Sequence, residues 1–149
     1  MNPLSLFGPV DAVLGSGEPP LIVYVLVVLA VLNLATRAIS HRANVSQADE
    51  GGADAIKQHP AHIATTILLI LGSFYLGTVE LHSGMVLSVL VVGMFITDFF
   101  ELEARRIEVR NDREISQPKA AVAASVLVVL YAAYISVFFV IAPLWNAVV

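Results

Sequence analysis

Four long stretches of the sequence are apolar and almost free of charge, and this feature constrains the fold more than any other. We define them as spans one to four, which cover residues 21–39, 61–79, 84–100 and 120–142. An α-helix needs about 20 mostly apolar residues to cross the hydrocarbon core of a bilayer. The sequence therefore predicts four transmembrane helices within a single transmembrane domain over residues 1–149.

A soluble helical bundle is the main alternative, and the distribution of charge argues against it. Each helix of such a bundle would carry a charged outer face, whereas no charge interrupts Leu21–Thr36, His62–Val79 or Ala120–Val149. Apolar residues make up 58 % of the chain and charged residues 13 %, against roughly 45–50 % and about 25 % in soluble domains. No span alternates with a period of two residues, as a β-barrel would require. We expect an all-α integral membrane four-helix bundle surrounded by lipid.

The basic residues predict the orientation of this bundle. All eight Lys and Arg residues lie between spans one and two or between spans three and four. Because positively charged loops stay in the cytoplasm, residues 40–60 and 101–119 are predicted to be cytoplasmic loops. Both termini would then lie outside, and the protein would be a multi-pass protein of the cell membrane.

The connections predict how the spans are arranged. Only residues 80–83 separate spans two and three, which predicts a tight antiparallel hairpin. A turn centred near residue 82 would place His62 level with Glu101. The loop over residues 40–60 is expected to be exposed and flexible in its middle. The segment Phe99–Arg113 contains no Gly or Pro and is expected to continue span three as a helix.

Three further patterns concern helix ends and packing. Apolar residues within residues 4–14 recur at helical spacing and are compatible with a short interfacial helix or with a loose apolar tail. Pro143 predicts the end of span four. Small residues four apart, such as Gly84 and Ser88, recur in three of the spans and predict close helix packing.

Asp98 is the first residue that could carry chemistry, because it lies inside span three. Acidic residues in a membrane are costly and usually face protein or water. One interpretation makes Asp98 a proton or cation site. The other makes it a carboxylate that reaches the interface or pairs with Arg37 or Arg105.

His62 is the second such residue. The predicted hairpin brings it near Asp98 and Glu101, and oxygen and imidazole ligands of this kind bind divalent metals. His62, Asp98 and Glu101 are therefore candidate metal ligands, with His41 and His59 on the same rim. However, no helix carries the Glu-x-x-His motif of carboxylate-bridged bundle sites. Interfacial salt bridges and helix capping are the competing interpretation, and we expect no bound cofactor.

Other classes of site have no support in the sequence. The absence of Cys excludes disulfides and thiolate ligands. No nucleotide-binding loop and no serine nucleophile elbow is present. The basic residues are interleaved with acidic ones, so nucleic acid is not an expected partner.

Several stretches carry a resemblance to a known group of proteins. They are Leu34–Arg37, His59–Thr65, Thr97–Glu101 and Pro118–Tyr134. On these stretches the chain resembles a family of short, four-span haloarchaeal integral membrane proteins of unknown function. The resemblance covers nearly the whole chain and implies location and architecture, but it implies no activity.

Three functions are compatible with these patterns. The first is a non-enzymatic accessory or scaffold bundle that acts through the helix Phe99–Arg113 on a protein partner or on a second copy of the chain. Its predicted partner-facing residues are Arg105, Arg106 and Arg110. The second is a small proton- or cation-coupled transporter or channel that uses Asp98. The third is a metal-dependent membrane enzyme.

Overall fold

The structure of the protein is a computed structural model that describes residues 8–17 and 20–148, apart from the side chain of Phe139. Within these residues the chain forms helices and no strand. A short 3₁₀ turn, Ala53–Ala55, lies between the second and third helices. The five α-helices are α1 (Gly8–Val13), α2 (Leu21–Gly51), α3 (Pro60–Val79), α4 (Leu81–Arg110) and α5 (Lys119–Val148).

The four long helices confirm the predicted fold class. Each of them is long and apolar enough to cross a membrane. Helices that follow each other in the chain pack side by side, and α5 packs back against α2. The result is a closed bundle in which α2 and α4 lie diagonally across the interior. We call the end with the α2–α3 and α4–α5 connections the basic end, and the opposite end the hairpin end.

Apolar side chains form both the interior and the outer surface of the bundle. The interior contains Leu26, Leu69, Leu87 and Val91, each at most 2 % exposed. The outer surface carries equally apolar residues, such as Leu71, Val89 and Leu130, which are 60–72 % exposed. Since this surface would be unfavourable in water, it fits a hydrocarbon surrounding.

The hairpin between α3 and α4 is tighter than the sequence predicted. Only Glu80 separates the two helices, so the turn is centred there and not near residue 82. The backbones of Gly77 and Gly84 lie against each other, and a Cβ atom on Gly84 would lie 2.1 Å from the nitrogen of Gly77. The predicted alignment is therefore wrong by three positions on α4, and His62 lies opposite Asp98 instead of Glu101.

Helices α2 and α4 extend further at the basic end than a helix needs to cross a bilayer. The extension of α4 to Arg110 confirms the predicted continuation of span three. By contrast, α2 continues to Gly51, so the first part of the predicted loop 40–60 is helical. That part is held in place because Asn44, on α2, donates a hydrogen bond of 2.9 Å to the carbonyl oxygen of Lys57.

The terminal segments agree with the sequence only in part. Helix α1 confirms a short N-terminal helix over the described part of residues 4–14, and residues 4–7 lie outside the described part of the chain. Helix α5 does not end at Pro143 but continues through it to Val148, and the position at which span four leaves the membrane stays a prediction. Proline removes one backbone hydrogen bond from a helix, and transmembrane helices tolerate this loss better than soluble ones.

Candidate functional site

A group of three ionisable side chains is buried inside the bundle near the basic end. Arg37 comes from α2, His62 from α3 and Asp98 from α4, and they are 3 %, 2 % and 7 % exposed. We call these three residues the charged cluster. Because α2 and α4 are diagonal to each other, the contact between Arg37 and Asp98 crosses the interior of the bundle.

Asp98 is paired with Arg37 through both of its carboxylate oxygens. Nη1 of Arg37 donates to Oδ1, and Nη2 donates to Oδ2 at 3.2 Å. A planar guanidinium matches a carboxylate in this two-bonded arrangement. The pairing confirms one of the two interpretations of Asp98, and Arg37 is the partner. Arg105 instead donates to Oδ1 of Asn44 at 2.7 Å.

His62 links Asp98 to a threonine on α2. Its Nε2 lies 3.0 Å from Oδ2 of Asp98, and its Nδ1 lies 3.0 Å from Oγ1 of Thr36. A carboxylate held by a guanidinium can only accept hydrogen bonds. Nε2 of His62 therefore carries a proton and donates it to Asp98.

Four polar residues lie next to the charged cluster on the side of the hairpin end and connect α2 to α3. We call them the polar layer: Asn33, Thr36, Thr65 and Thr66. Nδ2 of Asn33 donates to Oγ1 of Thr65 and to Oγ1 of Thr66, each at 2.9 Å. The hydroxyls of both threonines donate to the carbonyl oxygen of His62, at 3.1 and 2.8 Å. Asn33 thus forms hydrogen bonds from α2 to α3.

Sequence reasoning missed the threonines of this layer. Thr36 lies three residues after Asn33, and Thr65 and Thr66 lie three and four residues after His62. Residues at these spacings share one face of a helix. The pattern of polar residues on one face of each span was therefore a usable signal.

A small polar cavity lies beside the charged cluster on the side of the basic end. Its volume is about 10 Å³, which is roughly enough for one water molecule. Nε of Arg37 and Nε of Arg105 are buried and lack a protein partner. The cavity is lined by Arg37, Ser40, Gln58, His62, Asp98, Glu101 and Arg105.

Between the charged cluster and the hairpin end, the buried side chains change from polar to apolar. On this side the buried residues of α2, α3 and α4 beyond the polar layer are apolar or Gly, apart from Ser73. The hydroxyl of Ser73 donates to the carbonyl oxygen of Ile70 on its own helix. Apart from Ser73, the polar interior of these three helices thus ends at Asn33 and Thr66.

The candidate metal ligands do not form a metal site in the described part of the chain. No group of three His, Asp or Glu side chains there is placed to hold an ion. His62 and Asp98 are in contact, but Asp98 is also bound by Arg37. Glu101 lines the small cavity one helical turn further towards the basic end. We assign none of the three as a metal ligand.

The three arginines predicted to face a partner have different surroundings. Arg105 is only 6 % exposed, so its burial does not fit that prediction. Arg106 is half-buried and donates to the carbonyl oxygen of Ile56 at 3.0 Å and to Glu103 at 2.7 Å. Arg110 is exposed, with its nearest carboxylate, that of Asp54, 3.8 Å away.

Comparison with known proteins places the chain in a family without assigning an activity. No curated protein and no solved structure matches it. One family model does match, and it covers residues 2–149. The matched region includes the charged cluster, the polar layer and all four long helices. The chain therefore belongs to the family described as domain of unknown function DUF7313.

Proposed function

We propose that this protein is a non-enzymatic scaffold or accessory subunit of the cell membrane, with its basic end in the cytoplasm. The observation that carries the proposal is the pair of helical extensions at the basic end. All eight basic residues lie towards this end, and the positive-inside rule supports its cytoplasmic location. The resemblance noted above and the presence of only two Lys residues also support a haloarchaeal source.

The extensions of α2 and α4 form one connected unit. Arg105 bonds Asn44 across the bundle, and Arg106 bonds the backbone of the fully buried Ile56. Oε1 of Gln47 accepts from the backbone nitrogen of Lys57 at 3.0 Å. Because these contacts fix the α2–α3 connection against α4, the unit can present a fixed surface to a partner at little cost in conformational entropy.

A cleft on this unit is the best candidate for the partner surface. It has a volume of about 500 Å³ and lies between α2 and the segment after α4. Its apolar lining is Val45, Ala48, Val109 and Ile115. The charged residues that line it are Asp49, Asp112, Arg113 and Glu114. The lining holds three carboxylates and one guanidinium, so its net charge is negative. Charge complementarity therefore favours a partner segment that is basic and partly apolar.

The two other predicted functions have weaker support. A transporter that uses Asp98 needs a polar route across the bundle, whereas α2, α3 and α4 bury apolar side chains between the polar layer and the hairpin end. A metal-dependent enzyme needs converging ligands, and the described side chains do not provide three. The scaffold proposal requires neither feature.

Charge reversal in the cleft tests the proposal. We expect the tagged protein, purified from its native membrane, to retain a protein with a basic segment. The double variant Asp49→Lys/Glu114→Lys should reduce the recovery of that protein at least tenfold, because both carboxylates line the cleft. The measurement is quantitative mass spectrometry of the co-purified proteins.

The control is Asp54→Lys, which changes the same charge on a side chain that is 96 % exposed and outside the cleft. This variant should retain the partner. Equal recovery with all three proteins would contradict the proposal. Recovery of only a second, differently tagged copy of the chain would show self-association instead and would also overturn it.

A further inference from the structure

We propose that His62 is a proton-binding site, built so that its imidazole can take up a second proton while every hydrogen bond around the ring remains satisfied. The ligand is the proton itself. The proposal does not depend on the scaffold function, because it concerns only the charged cluster, the polar layer and the small cavity.

The neutral form of His62 is satisfied on both ring nitrogens. Nε2 donates to Oδ2 of Asp98 at 3.0 Å. Nδ1 then has no hydrogen and accepts from the hydroxyl of Thr36, 3.0 Å away. This arrangement uses the single hydroxyl hydrogen of Thr36.

The protonated form is satisfied by the same heavy atoms. Nδ1 now carries a hydrogen and donates it to Oγ1 of Thr36. The hydroxyl hydrogen of Thr36 turns instead to the carbonyl oxygen of Asn33, which lies 2.9 Å away. One N–H bond forms at His62 and one O–H bond of a hydronium ion breaks, leaving water. Apart from the added proton, only the rotation of one hydroxyl distinguishes the two forms.

The net charge of the groups around His62 does not oppose an added proton. Arg37 on α2 and Arg105 on α4 are positive, and Asp98 and Glu101 on α4 are negative, so these four groups that line the cavity with His62 sum to zero. The nearest charge to the ring is the carboxylate of Asp98. His41 on α2 and His59 at the start of α3 are the other titratable groups nearby along these helices.

Access to the site is one-sided. The small polar cavity touches His62 from the basic end. Towards the hairpin end the buried residues of the three helices that form the site are apolar or Gly, apart from Ser73. A proton would therefore enter and leave through the basic end, and the site would respond to the pH of that side without conducting protons across the membrane.

Nuclear magnetic resonance of the ring nitrogens tests the inference. The full chain, labelled with ¹⁵N in its four histidines and reconstituted in lipid nanodiscs, is titrated between about pH 5 and 8, where histidine ordinarily changes charge. The signal of His62 is assigned by its loss in His62→Gln. We expect its nitrogens to pass reversibly from one N–H group to two, with unchanged backbone signals for the apolar core.

Variants at Thr36 separate a built site from an incidental titration. Thr36→Val removes the hydroxyl that accepts from protonated Nδ1, and we expect proton binding at His62 to weaken about tenfold, since hydrogen bonds to charged groups are stronger than neutral ones. Thr36→Ser keeps the hydroxyl and should titrate like the original protein. Backbone spectra of both variants verify that the bundle is folded.

Three results would overturn the inference. The first is a single protonation state of His62 throughout the titration, and the second is the same titration in the original protein and in folded Thr36→Val. The third concerns access and is measured with a pH-sensitive dye inside proteoliposomes. We expect no proton flux above that of empty liposomes, and a flux that is lost in His62→Gln would contradict a one-sided site.

Discussion

At the scale of single residues, the ion pair of Arg37 and Asp98 determines which substitutions the interior of the bundle can accommodate. Two charges taken out of water lose their hydration, and only mutual attraction and well-placed hydrogen bonds compensate for that loss. Here the carboxylate accepts from Arg37 on both oxygens and from His62 on one. Each of the three helices α2, α3 and α4 supplies one member, so the contact fixes their relative positions.

Removing one charge of this pair should destabilise the bundle strongly. In Asp98→Asn the guanidinium of Arg37 remains buried without its counter-charge, and we expect the free energy of unfolding to fall by about 3–5 kcal/mol. The double variant Arg37→Gln/Asp98→Asn leaves no unpaired charge, and its loss should be clearly smaller than the sum of the two single losses. Reversible unfolding in mixed detergent micelles measures both quantities.

Glu101→Gln provides the control for this prediction. Glu101 lines the same cavity one turn away on α4 but forms no hydrogen bond with Arg37 or His62 that the structure shows. Its charge acts on the buried Arg105 without a hydrogen bond to it that the structure shows, so its substitution should lower the free energy of unfolding by clearly less than Asp98→Asn does. Additive losses for Arg37→Gln and Asp98→Asn would show that the pair is not coupled.

The sequence limited the partners of Asp98 to two but could not choose between them. Arg37 and Arg105 both lie near the basic end, and position along the chain does not show which one faces the interior at the level of Asp98. The choice depends on the diagonal placement of α2 and α4, which is a property of the packed bundle. The predicted position of His62 depended on the predicted centre of the hairpin. Because the turn lies at Glu80, His62 lies opposite Asp98 and not opposite Glu101.

At the scale of helices, the sequence predicted the apolar segments well and the polar ends less well. The length and composition of each span fixed the four helices, because lipid leaves the backbone no other way to satisfy its hydrogen bonds. Outside the spans that constraint disappears. Residues 40–52 read as a loop because they are mostly polar and end in two glycines. Their helix is stabilised by contacts such as that of Asn44 with Arg105, which no local pattern reveals.

The hairpin of α3 and α4 offers a test of close packing at a single position. A Cβ atom on Gly84 would lie 2.1 Å from the nitrogen and 2.2 Å from the Cα atom of Gly77, so the two backbones would have to separate. We expect Gly84→Ala to lower the free energy of unfolding by about 1–3 kcal/mol, as other overpacked sites do. Thermal unfolding in detergent micelles provides the measurement.

Gly93→Ala is the matched control, because a Cβ atom there meets nothing within 4 Å. On the same helix, this change should leave the stability unchanged or raise it by up to about 1 kcal/mol, since alanine favours helices over glycine. Equal effects of the two substitutions would mean that the small residues of the hairpin are not needed for contact between α3 and α4.

At the scale of the whole molecule, the bundle has two unlike ends. The basic end carries all eight Lys and Arg residues, the polar cavity and the extensions of α2 and α4. The hairpin end carries the one-residue turn at Glu80, the segment of α1 and the end of α5. A membrane centred on the apolar surface would leave the extensions in water on one side, and little of the chain in water on the other. The proposed partner surface and the access to His62 therefore depend on the same orientation.

This orientation can be measured because the chain has no Cys of its own. Single cysteines introduced as Ser16→Cys and Asn146→Cys lie towards the hairpin end, and Ser46→Cys and Gln117→Cys lie towards the basic end; all four positions are exposed. In intact cells a membrane-impermeant maleimide should label only the first two, because the positive-inside rule predicts that the basic end is cytoplasmic. All four should react after the membrane is permeabilised, which verifies that each thiol is accessible. Labelling of Ser46→Cys in intact cells would place the basic end outside, and both the cytoplasmic partner and the response of His62 to cytoplasmic pH would then have to be abandoned.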